Sequence, residues 1–127
     1  MGARALDAPY GRRVNHHPEE TAVHVQVVNL KLHDLSDADY RQACDGLAPV
    51  FAEVPGLISK VWLADEATNT YGGIYTWVDR AAMEAFASSD LFRAIAANPN
   101  FVDITSRDFS VLAGPTSVTR ARIPAAA

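Results

Sequence analysis

Between Ala22 and Leu112 the apolar residues recur at every second position, then every third or fourth, then every second in two successive runs, then every third or fourth again, and finally every second once more. A period of two marks a strand with one buried face, and a period near 3.6 marks an amphipathic helix. Residues 22–32, AVHVQVVNLKL, open the series as a valine-rich strand. Val23, Val25 and Val27 point one way, and His24, Gln26, Val28 and Leu30 the other. Alternation alone leaves open which set meets the core. Ser36 is placed to cap a helix whose first turn carries Asp37 and Asp39, facing the positive end of the helix dipole. Tyr40, Ala43/Cys44, Leu47, Val50/Phe51 and Val54 then form one helical stripe. Pro49 predicts a kink in that helix, and Pro55-Gly56 its end.

Residues 57–64, LISKVWLA, form a second strand with Ile58, Lys60 and Trp62 on one face. The polar stretch Asp65–Thr70 turns the chain into a third, residues 71–78, YGGIYTWV. Tyr71, Gly73, Tyr75 and Trp77 share a side of that strand, and the adjacent glycines predict a bulge or a close backbone approach. Asp79 caps a second helix with Ala82, Met83, Phe86 and Ala87 on its buried stripe. Ser88-Ser89-Asp90 breaks and re-caps it before residues 91–97. Residues 101–112 read as the last strand, and the tail 116–127 could add a short edge strand. The order is βαββαβ, the split plan of an α+β, ferredoxin-like domain: a four-stranded antiparallel sheet with two helices on one face.

The 127 residues and 49% hydrophobic content suit a single globular domain, placed at residues 22–115 after a flexible N-terminal arm over 1–21. The two adjacent histidines of that arm, His16 and His17, lack a third ligand in register and read as a solvated pair. No apolar run approaches the ~20 residues of a membrane span, and the first residues have no apolar segment of the kind a secretory signal needs. The single cysteine, Cys44, can close no intramolecular disulfide. These features point to a cytoplasmic chain with no membrane partner. Residues 22–113 carry six Lys/Arg against twelve Asp/Glu, a balance that repels phosphate backbones and speaks against a nucleic-acid partner. With helices on only one side of the sheet, the second face also carries apolar residues. The simplest cover is another copy of the chain, which predicts a homodimer.

The segments Pro55-Gly56-Leu57, Lys60-Val61-Trp62 and Gly72-Gly73-Ile74-Tyr75, followed by Asp79-Arg80-Ala81-Ala82-Met83, carry a family likeness. From about Val23 to Leu112 the chain resembles the YdhR-like monooxygenase family of the dimeric α+β barrel superfamily. The resemblance implies a dimer and a pocket between sheet and helices. It also implies chemistry of the kind run by cofactor-independent oxygenases on aromatic polyketides. Related barrels also include isomerases, decarboxylating enzymes and haem proteins, so the fold does not fix the reaction.

A cofactor-free oxygenase must hold an electron-rich aromatic, remove a proton from it and stabilise the anion that meets O₂. That requires an apolar slot, a base and a hydrogen-bond donor. His24, the only histidine inside a predicted strand, is the candidate base, and Tyr75 or Lys60 the donor. Trp62, Trp77 and Tyr71, with Gln26, are candidate substrate-binding residues. Each has a structural reading as well: an aromatic stripe as core, Lys60 reaching past Trp62 to the sheet edge, and Tyr40 and Cys44 as helix-one core. The chain has no phosphate-binding loop, dinucleotide fingerprint, nucleophile elbow or metal-ligand spacing. No cofactor is therefore expected, although haem stays open because one histidine can serve as axial ligand. The expected reaction is a cofactor-independent monooxygenation of a small hydrophobic, aromatic or polyketide-like molecule. The alternatives are a cyclase, isomerase or dehydratase using the same pocket, or a dimer that binds a small molecule without turnover.

Overall fold

The structure, a computed structural model, describes residues 22–119; the expected arm over 1–21 and the tail residues 120–127 lie outside the described residues. Ala22–Ser110 forms one compact unit. Its elements are β1 (His24–Leu32), α1 (Asp37–Ala52), β2 (Leu57–Asp65), β3 (Thr70–Trp77), α2 (Arg80–Ala87), α3 (Asp90–Ala97) and β4 (Phe101–Ser110). The sheet order is β2-β3-β1-β4 with every neighbouring pair antiparallel. This is the ferredoxin-like α+β arrangement that the order of periods predicts.

The helix starts fall where the short polar side chains stand. Ser36 Oγ accepts from the Asp39 amide at 3.0 Å, Asp79 Oδ1 from that of Ala82 at 2.8 Å, and Ser89 Oγ from that of Phe92 at 3.2 Å. Each satisfies an amide that the first helical turn leaves without a partner, a contribution of about 1 kcal/mol. α1 runs through Pro49 and ends at Ala52. Its Phe51, with Met83 and Phe86 of α2, packs on Val28, Tyr75 and Trp77 of the sheet. A smaller cluster joins Leu30, Tyr40 and Tyr71. The open question of β1 is thereby answered: His24, Gln26, Val28 and Leu30 face the helices, while Val25 and Val27 lie half-buried on the opposite face.

Two bulges shift the phase that simple alternation predicts. In β2, Leu57 pairs with Trp77 and Ser59 with Thr76, so Ile58 is an extra residue. The expected trio of Ile58, Lys60 and Trp62 is corrected accordingly. Leu57 takes the core position against Trp77, and the Ile58 side chain turns outward. In β4 the register slips between Asn29 and Lys31, opposite Asp103, whose φ is 53°. The slip brings Ile104 onto both core clusters.

The glycine pair of β3 gives close approach without breaking its register to β1. Gly72 has φ +143°, and a Cβ there would sit 1.9 Å from the Val28 carbonyl oxygen. At Gly73 a Cβ would sit 2.7 Å from Lys60 Cε, so this glycine leaves the space along which the Lys60 stem lies.

Beyond Ser110, described by itself, Ala113–Val118 is a short helix, α4. The edge strand expected to begin at residue 116 is therefore corrected for 116–118. Pro115 stands in the first helical turn, where its missing N–H would have had no intrahelical acceptor. No helix among the described residues is long and apolar enough to cross a membrane.

Candidate functional site

Between α1 and the helix-facing side of the sheet lies an apolar cavity. Strand residues Val28, Leu30, Lys60, Trp62 and Tyr75 form its floor, and Tyr40, Cys44, Leu47 and Phe51 of α1 stand above them. Phe92 and Ile95 of α3, with Phe101 and Ile104 of β4, close the remaining side. Only about 40 Å³ of the cavity admits the centre of a water-sized sphere. That holds on the order of one to a few waters, so any larger occupant requires side chains to move. A groove with about 330 Å³ open to the same sphere shares Tyr40, Cys44 and Trp62 with the cavity and continues past Arg41, Ala48 and Leu63. The seam between α1 and edge strand β2 is therefore where the cavity meets the surface.

Lys60 is the one cationic side chain in the lining. Its Nζ lies 3.4 Å from the centre of the Trp62 ring, 3.6 Å from that of Phe51 and 4.8 Å from that of Tyr75. It makes no hydrogen bond or ion pair within the described residues. Burial pushes its pKa down from the ordinary 10.5 to about 7, because an ammonium in this slot loses its water; nearby Cys44 acts weakly the other way. The ring faces also favour the ammonium, so the amine is poised between its two proton states. Burial likewise pushes the Tyr75 hydroxyl well above its ordinary value, which keeps it a donor at neutral pH. Tyr40 and Cys44 stand one helical turn apart, and burial raises the pKa of both.

Of the seven residues singled out in the sequence, Lys60, Trp62 and Tyr75 come together in this cavity. The other four stand elsewhere on the same sheet face. Tyr71 is fully buried in the smaller cluster, and its hydroxyl donates to Asp37 Oδ1 at 2.6 Å. That bond raises the Tyr71 pKa to about 12, while Arg41 and Tyr71 together hold the Asp37 carboxyl below its usual range. His24, Gln26 and Trp77 occupy the far end. His24 Nε2 lies 2.6 Å from Asp108 Oδ2, the Trp77 indole N–H donates to Gln26 Oε1 at 3.0 Å, and Gln26 Nε2 donates to Ser106 Oγ at 2.9 Å. Tyr40, Cys44 and Phe51, read from sequence as helix core, form the wall opposite Lys60. Their spacing on one stripe was the signal that pointed to this face.

The lining holds no histidine, and its open space is far below what a porphyrin fills, so the cavity in this conformation does not fit haem. Among the described residues no group of three or more His, Cys, Asp or Glu is arranged to hold a metal.

Fold and cavity together define a ferredoxin-like α+β protein with an apolar, aromatic-walled pocket. Its sequence matches the family described as "Putative mono-oxygenase ydhR" over residues 25–122, and the chain belongs to that family. This membership gives it a monooxygenase role in general terms. No curated protein matches the chain. Among solved structures it is similar to NE2512 of Nitrosomonas europaea, a protein of unknown function. That match has a TM-score of 0.65 and 17% identity over 84% of this chain and 98% of the other. It is also similar to SnoaB, a cofactor-independent oxygenase from Streptomyces nogalater, with a TM-score of 0.59 and 19% identity over 72% of this chain and 94% of the other. A third is the haem-degrader MhuD of Mycobacterium tuberculosis, with two haems in its active site: TM-score 0.55 and 18% identity over 70% and 95%. At these identities the likeness establishes the fold.

Proposed function

We propose that the chain is a cofactor-independent monooxygenase acting on a small, electron-rich aromatic or polyketide-like molecule. The observation that carries this reading is an amine with no charged partner among the described residues, held against three aromatic rings in an apolar cavity. In its neutral form Lys60 takes a proton from an acidic C–H or O–H of the substrate. The ammonium so formed stays beside the new anion and stabilises it. The anion, rich in electrons, then meets O₂. For a ring CH₂ flanked by aromatic carbons, the two hydrogens and one oxygen atom leave as water while the other oxygen becomes the product's carbonyl. Tyr75, still protonated, supplies a hydrogen bond to a developing oxyanion, and Trp62 forms one wall of the slot. His24, Gln26, Trp77 and Tyr71 stand in this reading as residues that hold the sheet in shape. The groove beside Arg41 is the route of entry.

The sheet face turned away from α1, α2 and α3 carries Val25, Val27 and Ile74, with Val61 and Phe109 about half exposed. In this reading it is covered by a second copy of the chain. Light scattering at micromolar concentration should give twice the chain mass, and the single-chain mass would overturn the dimer.

The test of the reaction is turnover of anthrone-type or hydroquinone-type substrates under ¹⁸O₂ without added cofactor. One ¹⁸O atom should appear in the product. Conversion without a change in mass would instead assign the cavity to an isomerase or cyclase, and tight binding without conversion to a carrier.

A further inference from the structure

The chain has two lysines, Lys31 and Lys60, and they stand in opposite circumstances. Lys31 Nζ is held at the rim of the sheet, donating to the Thr68 carbonyl and the Thr70 hydroxyl at 3.2 Å each. Among the described residues Lys60 Nζ has no hydrogen-bond or ion-pair partner, and it projects among apolar side chains. A half-buried amine held against apolar rings without a counter-ion is the arrangement that makes lysine a nucleophile toward carbonyl carbon, because partial loss of hydration favours the neutral form and its lone pair is free. The walls around it are aromatic and aliphatic and would receive a flat apolar ring once side chains move apart, and the groove along α1 and β2 shares Tyr40, Cys44 and Trp62 with the cavity.

We propose that Lys60 captures small aromatic aldehydes and ketones as an imine, so that the cavity is a covalent carbonyl-binding site. This goes beyond the oxygenase reading, which uses the same amine only to move a proton. The step balances without an oxidant or reductant. Nζ adds to the carbonyl carbon, the two amine hydrogens pass to the carbonyl oxygen, and that oxygen leaves as water when the C=N bond closes. The reaction is reversible, so it is read by reducing the imine to a stable secondary amine. On the acid side its pH dependence follows the neutral amine, so labelling rises as the pH approaches about 7; at high pH it falls again, because loss of water and the hydride step both need a proton. Gly73 is part of the device: its missing side chain leaves the room in which the Lys60 stem lies, with Cε only 2.7 Å from where a Cβ would be.

The experiment is incubation of the full chain with benzaldehyde and sodium cyanoborohydride at neutral pH. Intact mass and peptide mapping are then read against time. The expected result is one benzyl group on Lys60, acquired about tenfold or more faster than on Lys31 or the N-terminal amine. Lys60→Arg keeps a cation in the slot but cannot form the imine, and should lose the fast label while melting as a folded protein. Gly73→Ala, which displaces the stem and keeps the amine, should slow it. Equal labelling of Lys60 and Lys31, or an unlabelled Lys60, overturns the proposal. A failure here leaves ¹⁸O incorporation untouched, and a failure of oxygen incorporation leaves the label on Lys60, so the two readings fall separately.

Discussion

The helix-facing side of the sheet has two ends built on opposite principles. At one, His24, Gln26 and Trp77 are buried and each polar atom named above has a partner: Asp108 for the imidazole, Gln26 for the indole and Ser106 for the amide. At the other, the Lys60 amine stands against three rings and has none among the described residues. A buried polar group with its partners in place adds stability and specificity of packing, whereas one left without partners costs stability and persists where something else depends on it. In the proposed reading the chemistry belongs to the Lys60 end, and His24 is held by Asp108 as part of the structural end.

The largest expected effect tests that assignment. Lys60→Met should lower the rate of oxygen incorporation by about 10²–10⁴-fold, the usual range for loss of a general base, while the fold survives. The stability effect has the opposite sign and depends on pH. In the folded chain Lys60 releases its proton near pH 7, against 10.5 ordinarily. Between those values the unfolded chain binds more protons, so wild-type stability rises with pH across that window. Below pH 7 both forms are protonated and the cost of burying the ammonium is present in full. Above 10.5 neither holds the proton and the cost is gone. Thermal melts should therefore show Lys60→Met more stable than wild type at pH 6, with the gap closing toward pH 10.5. A gap that widens with pH would refute the buried-amine reading.

At the other end the expected effects are on stability, with catalysis spared. His24→Ala removes a buried imidazole from Asp108 and should lower stability by about 1–3 kcal/mol. Its oxygenation rate should stay within a few-fold of wild type. A loss of rate comparable to that of Lys60→Met would restore His24 as the base. Gln26→Leu should cost about 1–3 kcal/mol as well, because it leaves the indole N–H of Trp77, fully buried, without an acceptor. Urea titrations with an unchanged m-value would check both.

How far this contrast could be read in advance depends on the range of the forces involved. Ser36, Asp79 and Ser89 mark helix starts through bonds to amides three residues on, so their positions are written locally. Gly72-Gly73 signalled close approach for the same reason. The buried face of β1 was not legible, because its two alternating sets are both largely apolar and only the helices decide between them. The bulges at Ile58 and Asp103 are set by pairing with distant strands, and they shift side chains between faces without a local sign. The partner of His24 was not legible, because Asp108 lies 84 residues away and is invisible to any window around the histidine. Lys60, Trp62 and Tyr75 were found because all three lie on one hairpin, where a two-residue period suffices.

The smallest effect divides the polar network itself. Gln26 accepts from a fully buried indole on one side and donates to Ser106 on the other, and Ser106 lies on an exposed stretch of edge strand β4. If the network matters because its buried members cannot reach water, then its outer bond should count for little. Ser106→Ala removes the acceptor of Gln26 Nε2 at a point where solvent can replace it. The change in stability should then stay within about 0.5 kcal/mol, well below that of Gln26→Leu. Combined with Gln26→Leu, the second substitution should add nothing measurable, because the bond it removes is already gone. A cost for Ser106→Ala equal to that of Gln26→Leu would mean that water does not reach this edge. The natural cover at that position is then the second copy of the chain, and the protected edge would tie the polar end of the sheet to dimer formation.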